Sequence, residues 1–201
     1  MLARLLLTAG LLAAAGLAHA SARVGQPAPE LRGLDLNGKP VSLADFKGRT
    51  VVVEWTNPNC PFVRKHYQAD NIPALQREAT GKGVVWLAVN STRTDHADYV
   101  SPKGLGQWLT ESKAAPNALI MDEKGVAGRA WGARATPHLF IVDPAGVVRY
   151  AGAIDSIASA RTDDIPKATN YVRQGLGEAL AGRAISTAST TPYGCSIKFA
   201  D

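Results

Sequence analysis

The sequence predicts an α/β sandwich, a mixed central sheet flanked by helices. Three observations predict it. β-branched and aromatic runs alternate with helical segments in the order β-α-β-α-β-α-β-β-α, and a helical crossover returns each strand parallel to the one before. Val51-Val52-Val53 and Val84-Val85-Trp86-Leu87-Ala88-Val89 are apolar without alternation, as strands covered on both faces are. The last two strands are joined by Asp143-Pro144-Ala145-Gly146, a tight turn that makes them an antiparallel hairpin.

The elements follow in order. Residues 22–48 carry Pro27, Pro29, Gly33, Gly38, Pro40 and Gly48 among short apolar pieces, which reads as a hairpin or loop leading into the domain, with a turn at Asn37-Gly38. A buried strand spans Thr50 to Trp55 and breaks at Asn57-Pro58-Asn59-Cys60-Pro61. Pro61 suits a first helical turn and Asn59 an N-cap. The helix is expected from Pro61 towards Arg77, bent at Pro73 and stopping near Gly81. After the second strand, Val84–Val89, residues 91–102 read as loop, Gly104–Lys113 as a weak helix and Ala118–Met121 as a short strand. A short helix covers Gly125–Ala133, and the hairpin strands are Leu139–Val142 and Val147–Tyr150. Ala168, Tyr171, Val172, Leu176 and Leu180 give helical spacing over Lys167–Ala181, begun by Asp163-Asp164. Residues 183–201 read as a polar tail holding Cys195. No repeat and no second domain is visible.

Composition narrows the function. The chain has 201 residues, 46% of them apolar, with 22 Lys+Arg against 17 Asp+Glu and two cysteines. It is too apolar for a disordered chain, too poor in cysteine for a disulfide-dense mini-protein or a zinc module, and too weakly basic for nucleic acid to be a leading partner. Arg4, the Leu- and Ala-rich run Leu5–Leu17 and Ala18-His19-Ala20 together read as a secretory signal peptide over residues 1–20, cut before Ser21. An uncleaved anchor is the alternative, but the run is shorter than the roughly 20 residues of a membrane span. Cleavage takes Arg4 with it and leaves 181 residues with 21 cationic and 17 acidic side chains, a net +4. The organisation is then a leader over 1–20, a domain over 21–182 and a tail over 183–201. Both cysteines fall in an exported, periplasmic or secreted domain, where a disulfide persists. No stable membrane span is expected after cleavage.

Cys60 stands where a strand ends and a helix starts. Free N–H groups and the positive end of the helix dipole stabilise a thiolate there, so its pKa is expected to be depressed. Arg64, one turn on, is a candidate for electrostatic support. Asn57 and Asn59 are candidate donors to a bound oxygen, with turn formation and capping as the equal alternative. His66, His96 and His138 are scattered. Asp95-His96-Ala97-Asp98 reads as a solvated loop, His138 as a satisfied strand residue, and Trp55, Trp86, Trp108 and Trp131 as packing. No metal site, flavin or nicotinamide fingerprint is present in the sequence.

The run from Val51 to Val63, VVVEWTNPNCPFV, resembles the active-site strand, turn and helix of the thioredoxin-fold redoxins. Trp131-Gly-Ala-Arg-Ala-Thr-Pro-His-Leu-Phe-Ile-Val-Asp143 resembles their cis-proline loop. Val24-Gly-Gln-Pro-Ala-Pro-Glu-Leu31 is similar to the lead-in of AhpC/TSA-type redoxins, and Pro192-Tyr-Gly-Cys-Ser-Ile-Lys198 to the ending of a peroxiredoxin-like subgroup. The resemblance implies a thioredoxin-like three-layer sandwich. It makes Cys60 the nucleophile, Pro137 the cis-proline, and Thr136 and Pro137 the substrate groove. Val63 replaces the second cysteine of Cys-x-x-Cys, so dithiol exchange within that motif is unavailable. Val53 and Asn57 stand where peroxiredoxins carry Pro and Thr or Ser, and Arg134 lies near the place of their arginine. Cys195 becomes a resolving cysteine or one end of a structural disulfide. A closed ring of about 136 residues adds about 5 kcal/mol at most by chain entropy. The implied activity is thiol-disulfide exchange or peroxide reduction without a cofactor, on a small peroxide or protein disulfide, with a thiol/disulfide protein as reductant or oxidant. The alternative is a non-catalytic periplasmic binding module.

Overall fold

A computed structural model describes residues 21–200; the leader read over residues 1–20 lies outside the described residues. The strands are β1 (Arg32–Asp35), β2 (Pro40–Ser42), β3 (Val51–Trp55), β4 (Val85–Asn90), β5 (Ala118–Met121), β6 (Ala135–Thr136), β7 (His138–Val142), β8 (Val148–Gly152) and β9 (Cys195–Ser196). The helices are α1 (Pro61–Gln68), α2 (Asn71–Gly81), α3 (Pro102–Glu111), α4 (Val126–Trp131) and α5 (Tyr171–Leu180). Seven strands form one sheet in the order β2-β1-β5-β4-β3-β7-β8, and β6 pairs with β9 apart from it. β3 runs parallel to β4 and antiparallel to β7, and β4 runs parallel to β5. The mixed sheet follows from the two kinds of connection, helical crossovers and the hairpin at Asp143–Gly146.

β3, β4 and β7 are buried along their whole length because both sheet faces are covered. On one face Val52, Trp86, Leu139, Ile141 and Tyr150 pack with α1, α2 and α5 through Val63, Tyr67, Ile72, Leu75, Val172 and Leu176. On the other, Val53, Trp55, Leu87 and Phe140 pack with Ala127 and Trp131 of α4 and with Leu31. Trp55, Trp131 and Phe140 meet there with ring centroids 5.1 to 5.6 Å apart. Trp55, Trp86 and Trp131 are core residues, whereas Trp108 lies against Tyr67 at 4.3 Å beside a surface groove.

The structure corrects the sequence reading in three places. The long helix from Pro61 is two helices, broken where Asp70 adopts left-handed backbone (φ 53°). Pro73 does not bend a helix; it falls in the first turn of α2, where its missing N–H costs nothing, whereas one continuous helix would set its ring against the Ala69 carbonyl. Asp163 and Asp164 begin a separate 3-10 turn, Thr162–Lys167, and the chain is extended again at Ala168 (φ −88°, ψ 145°). Asn170 then caps α5, accepting from the Arg173 amide at 2.9 Å. Pro166 explains the separation, since it cannot donate within a helix continuing from Thr162. The polar tail is a packed part of the fold. Its Thr190 amide donates to the Ala151 carbonyl at 3.1 Å, and its Thr190 hydroxyl accepts from the Ala153 amide at 2.9 Å.

One buried carboxylate joins the sheet to α4. Asp122 accepts from the Ser91 hydroxyl at 2.5 Å and from the amides of Ala127 and Gly128 at 3.1 and 2.8 Å. Gly125, at the helix start, has no side chain with which to cap those amides. Replacing Asp122 by Ala is expected to cost about 2–4 kcal/mol, the worth of a lost cap plus a stranded buried hydroxyl. Chemical denaturation should show a lower midpoint with an unchanged m-value.

Candidate active site

Cys60 is the N-cap of α1, in the turn after the carboxyl end of the inner strand β3. It takes the position expected of Asn59, and its side chain makes no capping bond. Pro61 fixes the first turn, and the Arg64 amide closes it on the Cys60 carbonyl at 2.9 Å. Facing Cys60 is the loop before β7, where the Thr136–Pro137 peptide is cis. The Thr136 carbonyl accepts from the Cys60 thiol at 3.0 Å.

The tail closes the other side. β9 pairs antiparallel with β6 so that Cys195 lies opposite Thr136 and Ser196 opposite Ala135. Gly194 makes this approach feasible, since a Cβ there would stand 2.0 Å from the Thr136 carbonyl oxygen. Both cysteines are free thiols and line one small cavity of about 10 Å³ with Thr56, Asn57, Thr92 and Asp98. That is room for roughly one water-sized molecule. Cys60 is 3% exposed, while Cys195 is half-buried.

The two thiols are pushed in opposite directions. Burial raises the Cys60 pKa, but hydrogen bonds from the Cys195 and Thr136 side chains and from the Val63 and Cys195 amides outweigh it, so Cys60 lies below the ordinary thiol value. The Thr136 carbonyl favours the protonated form and limits the fall. Cys195 is raised to about 12 by burial and then by the hydrogen bond and negative charge of Cys60. The pair therefore favours a thiolate on Cys60 and a thiol on Cys195.

The other sequence candidates divide. Asn57 is buried, with its amide nitrogen donating to the Thr92 hydroxyl at 2.8 Å and the Asp98 carbonyl at 3.1 Å. Its oxygen accepts from the Asn59 amide at 2.8 Å. Those bonds occupy both its donors, so it shapes the cavity and is not free to donate to a bound oxygen. Asn59 is exposed and donates to the same Asp98 carbonyl at 3.3 Å. The loop read as merely solvated thus anchors the cysteine turn through Asp98. Arg64 is exposed, and its guanidinium turns back to the Asn59 carbonyl at 3.4 Å, lining a groove of about 420 Å³ with Tyr67, Trp108, Glu111 and Lys113. Arg134 is exposed too; its amide donates to His138 Nδ1 at 3.4 Å. Neither arginine is among the groups that lower Cys60. His138 is a strand residue stacked on Phe140 at 4.4 Å, and burial lowers its pKa to about 3.

Glu54 and Lys65 are among the buried polar groups that escaped the sequence reading. Glu54, within β3, accepts from Tyr67 at 2.9 Å, Trp86 at 2.8 Å and Gln76 at 3.3 Å. Burial raises its pKa to about 7 against the pull of these donors. Lys65, second-turn neighbour of Cys60, is buried against Asp155 at 3.4 Å. The only sequence signal was a charge inside an otherwise apolar strand, and a basic residue on the inner face of α1.

Comparison with protein families matches residues 24–151 to the AhpC/TSA family. The chain belongs to the AhpC/TSA family. Thiol oxidoreductase chemistry is the function class that this membership supports. Among solved structures, an uncharacterised conserved protein from Geobacillus kaustophilus is 27% identical, with a TM-score of 0.78 over 89% of this chain and 93% of that one. A thiol:disulfide interchange protein from a Bacteroides species is 26% identical, with a TM-score of 0.51 over 64% of this chain and 80% of that one. The thioredoxin domain of a thiol-disulfide oxidoreductase from Bacteroides vulgatus is 24% identical, with a TM-score of 0.53 over 73% of this chain and 98% of that one. The fold of this AhpC/TSA chain is thioredoxin-like. Comparison with curated proteins finds no match.

Two measurements follow. The rate of Cys60 alkylation against pH should inflect below the free-cysteine value of about 8.5, with Cys195 inflecting well above it. Glu54, whose pKa rises on folding from 4.5 to about 7, binds more protons in the folded state between those values. Its contribution to stability should therefore fall as pH rises from about 4.5 to about 7, by about 3 kcal/mol in all, and stay flat above. Subtracting the pH–stability profile of E54Q from that of the wild type isolates this slope.

Proposed function

We propose that the protein is an exported, peroxiredoxin-like thiol oxidoreductase in which Cys60 is the nucleophile and Cys195 resolves it. One observation carries this reading: the β6–β9 pairing sets Cys195 opposite Thr136, whose carbonyl touches the Cys60 sulfur. The depressed Cys60 thiol supplies the nucleophile, and the small cavity disfavours a bulky disulfide as its first reactant.

The Cys60 thiolate attacks one peroxide oxygen. The O–O bond breaks, the sulfur is oxidised to a sulfenic acid, and the other oxygen leaves as hydroxide or alkoxide and takes a proton. The sulfenic acid no longer carries the negative charge that helped raise Cys195. Cys195 then gives up its proton, attacks Cys60 sulfur and releases water, leaving a Cys60–Cys195 disulfide. A partner dithiol protein reduces that bond to two thiols and becomes a disulfide itself. Cys195, half-buried where Cys60 is covered, is the sulfur such a partner attacks. Thr136 and Pro137 shape the groove; Asn57 and Asn59 hold the turn; Arg64, in the groove beside Pro58, faces a docked partner. No helix among the described residues is long and apolar enough to cross a membrane, and the leader read over residues 1–20 supports export.

The burial of Cys60 favours one other reading, a structural disulfide in a non-catalytic module. C60S should abolish peroxide consumption driven by a dithiol protein. C195S should stop after about one equivalent of peroxide, with a sulfenic acid trapped by dimedone. Turnover by C60S, or a Cys60–Cys195 potential well below about −300 mV with no peroxide consumption, would sink the enzymatic reading.

A further inference from the structure

The chemistry just proposed does not use a buried polar cluster on the inner side of α1. Lys65, His66 and Asp155 are each at most 2% exposed. Lys65 Nζ donates to the Asp155 carboxylate at 3.4 Å and the Ile157 carbonyl at 3.2 Å. Into this cluster the tail inserts Tyr193, whose hydroxyl donates to Asp155 and lies 3.1 Å from His66 Nε2. His66 Nδ1 is 2.7 Å from the Asn71 side-chain nitrogen, which assigns Nδ1 as acceptor and leaves the Nε2 proton for Tyr193. The Tyr193 ring meets Phe62 edge-on at 5.8 Å and carries Lys65 Nζ at 5.8 Å from its centroid.

A buried ion pair gives little net stability compared with apolar packing of the same volume, and holding a register is its best-attested use. The register held here is that of the two sulfurs. Lys65 and His66 lie on the helix that Cys60 caps, and Tyr193 precedes Cys195 by two residues. The residue between them, Gly194, is fixed by its close approach to Thr136, so where Tyr193 sits determines where Cys195 sits. We propose that Tyr193, seated in the Lys65–His66–Asp155 cluster, is a positioning residue that sets the effective concentration of Cys195 at Cys60. The proposal rests on the resolving role assigned to Cys195 above.

The test is the equilibrium of the mature protein with glutathione buffers of graded ratio, the Cys60–Cys195 disulfide being quantified by non-reducing peptide mass spectrometry. Y193F keeps the ring and removes both hydroxyl bonds. It should require about a tenfold more oxidising buffer for half-oxidation, one net hydrogen bond to a charged group being worth that much or more. H66F, which keeps a ring on α1 but removes the donor to Tyr193, should shift the midpoint the same way by about threefold. Near-UV circular dichroism reports whether each variant folds, and H66F decides alone if Y193F does not. A midpoint unchanged in the folded variants overturns the positioning role and leaves the function reading intact. Failure of the wild-type protein to form the disulfide in any buffer overturns that reading, and the role of Tyr193 with it.

Discussion

The reactive end of the molecule depends on a two-residue β pairing, Thr136 with Cys195 and Ala135 with Ser196. Thr136 is the hinge of this arrangement, since its carbonyl touches the Cys60 sulfur on one side while its strand receives the tail on the other. In this arrangement the sulfur is covered, a second thiol donates to it, and β9 helps to line a cavity of about 10 Å³.

That arrangement is expensive in charge. Lys65 and Glu54 are both buried near the cysteine turn, and each is accommodated differently. Lys65 is met by the Asp155 carboxylate and the Ile157 carbonyl. Glu54 has three neutral donors and no cation, so burial raises its pKa towards neutrality. The difference follows from position: Glu54 points from the inner strand β3 into a cluster of Tyr67, Gln76 and Trp86, whereas Lys65 points towards the loop after β8, where an aspartate can meet it. The stability of the domain is consequently shaped by pH from both sides. Glu54 favours the folded state more strongly at lower pH, and His66 and His138, held neutral down to about 4 and 3, oppose it as the unfolded chain takes up protons below about 6.5.

The sheet was legible because its strands are buried on both faces: Val51–Trp55, Ala118–Met121 and the Asp143–Gly146 turn announce themselves by composition alone. Helix ends were less legible. A proline at position 73 reads equally as a bend or a start, and the left-handed Asp70 that decides the matter has no signature in a residue type common in both loops and helices. Cys60 was readable from the strand–turn–helix pattern, because the chemistry of a helix start is local. What Asn57, Arg64 and Arg134 do was not, because it depends on which neighbour each side chain finds across the chain. The tail was least legible. Its polar composition matches a solvated segment, and its order comes largely from partners distant in the chain, such as Ala151 for Thr190 and Asp155 for Tyr193.

The same pre-organisation acts on both directions of the redox cycle. Bringing Cys195 to Cys60 from opposite ends of a long chain costs loop entropy, and the fold, through the tail, has already met most of that cost before any sulfur reacts. Resolution of an oxidised Cys60 is then an intramolecular step with a high effective concentration. By the same equilibrium, each factor by which the fold favours closing the bond is a factor against reopening it. A disulfide this well prepared resists reduction unless its surroundings favour the thiols in turn. The hydrogen bonds that stabilise the Cys60 thiolate do so, since they lower the energy of the reduced pair and have no counterpart in a neutral disulfide. The depressed thiol at the helix start is therefore needed twice, once as a nucleophile and once as a good leaving group when a partner attacks Cys195. On this reading the α1 N-terminus and the tail latch work against each other, and their balance keeps the sulfur pair reversible.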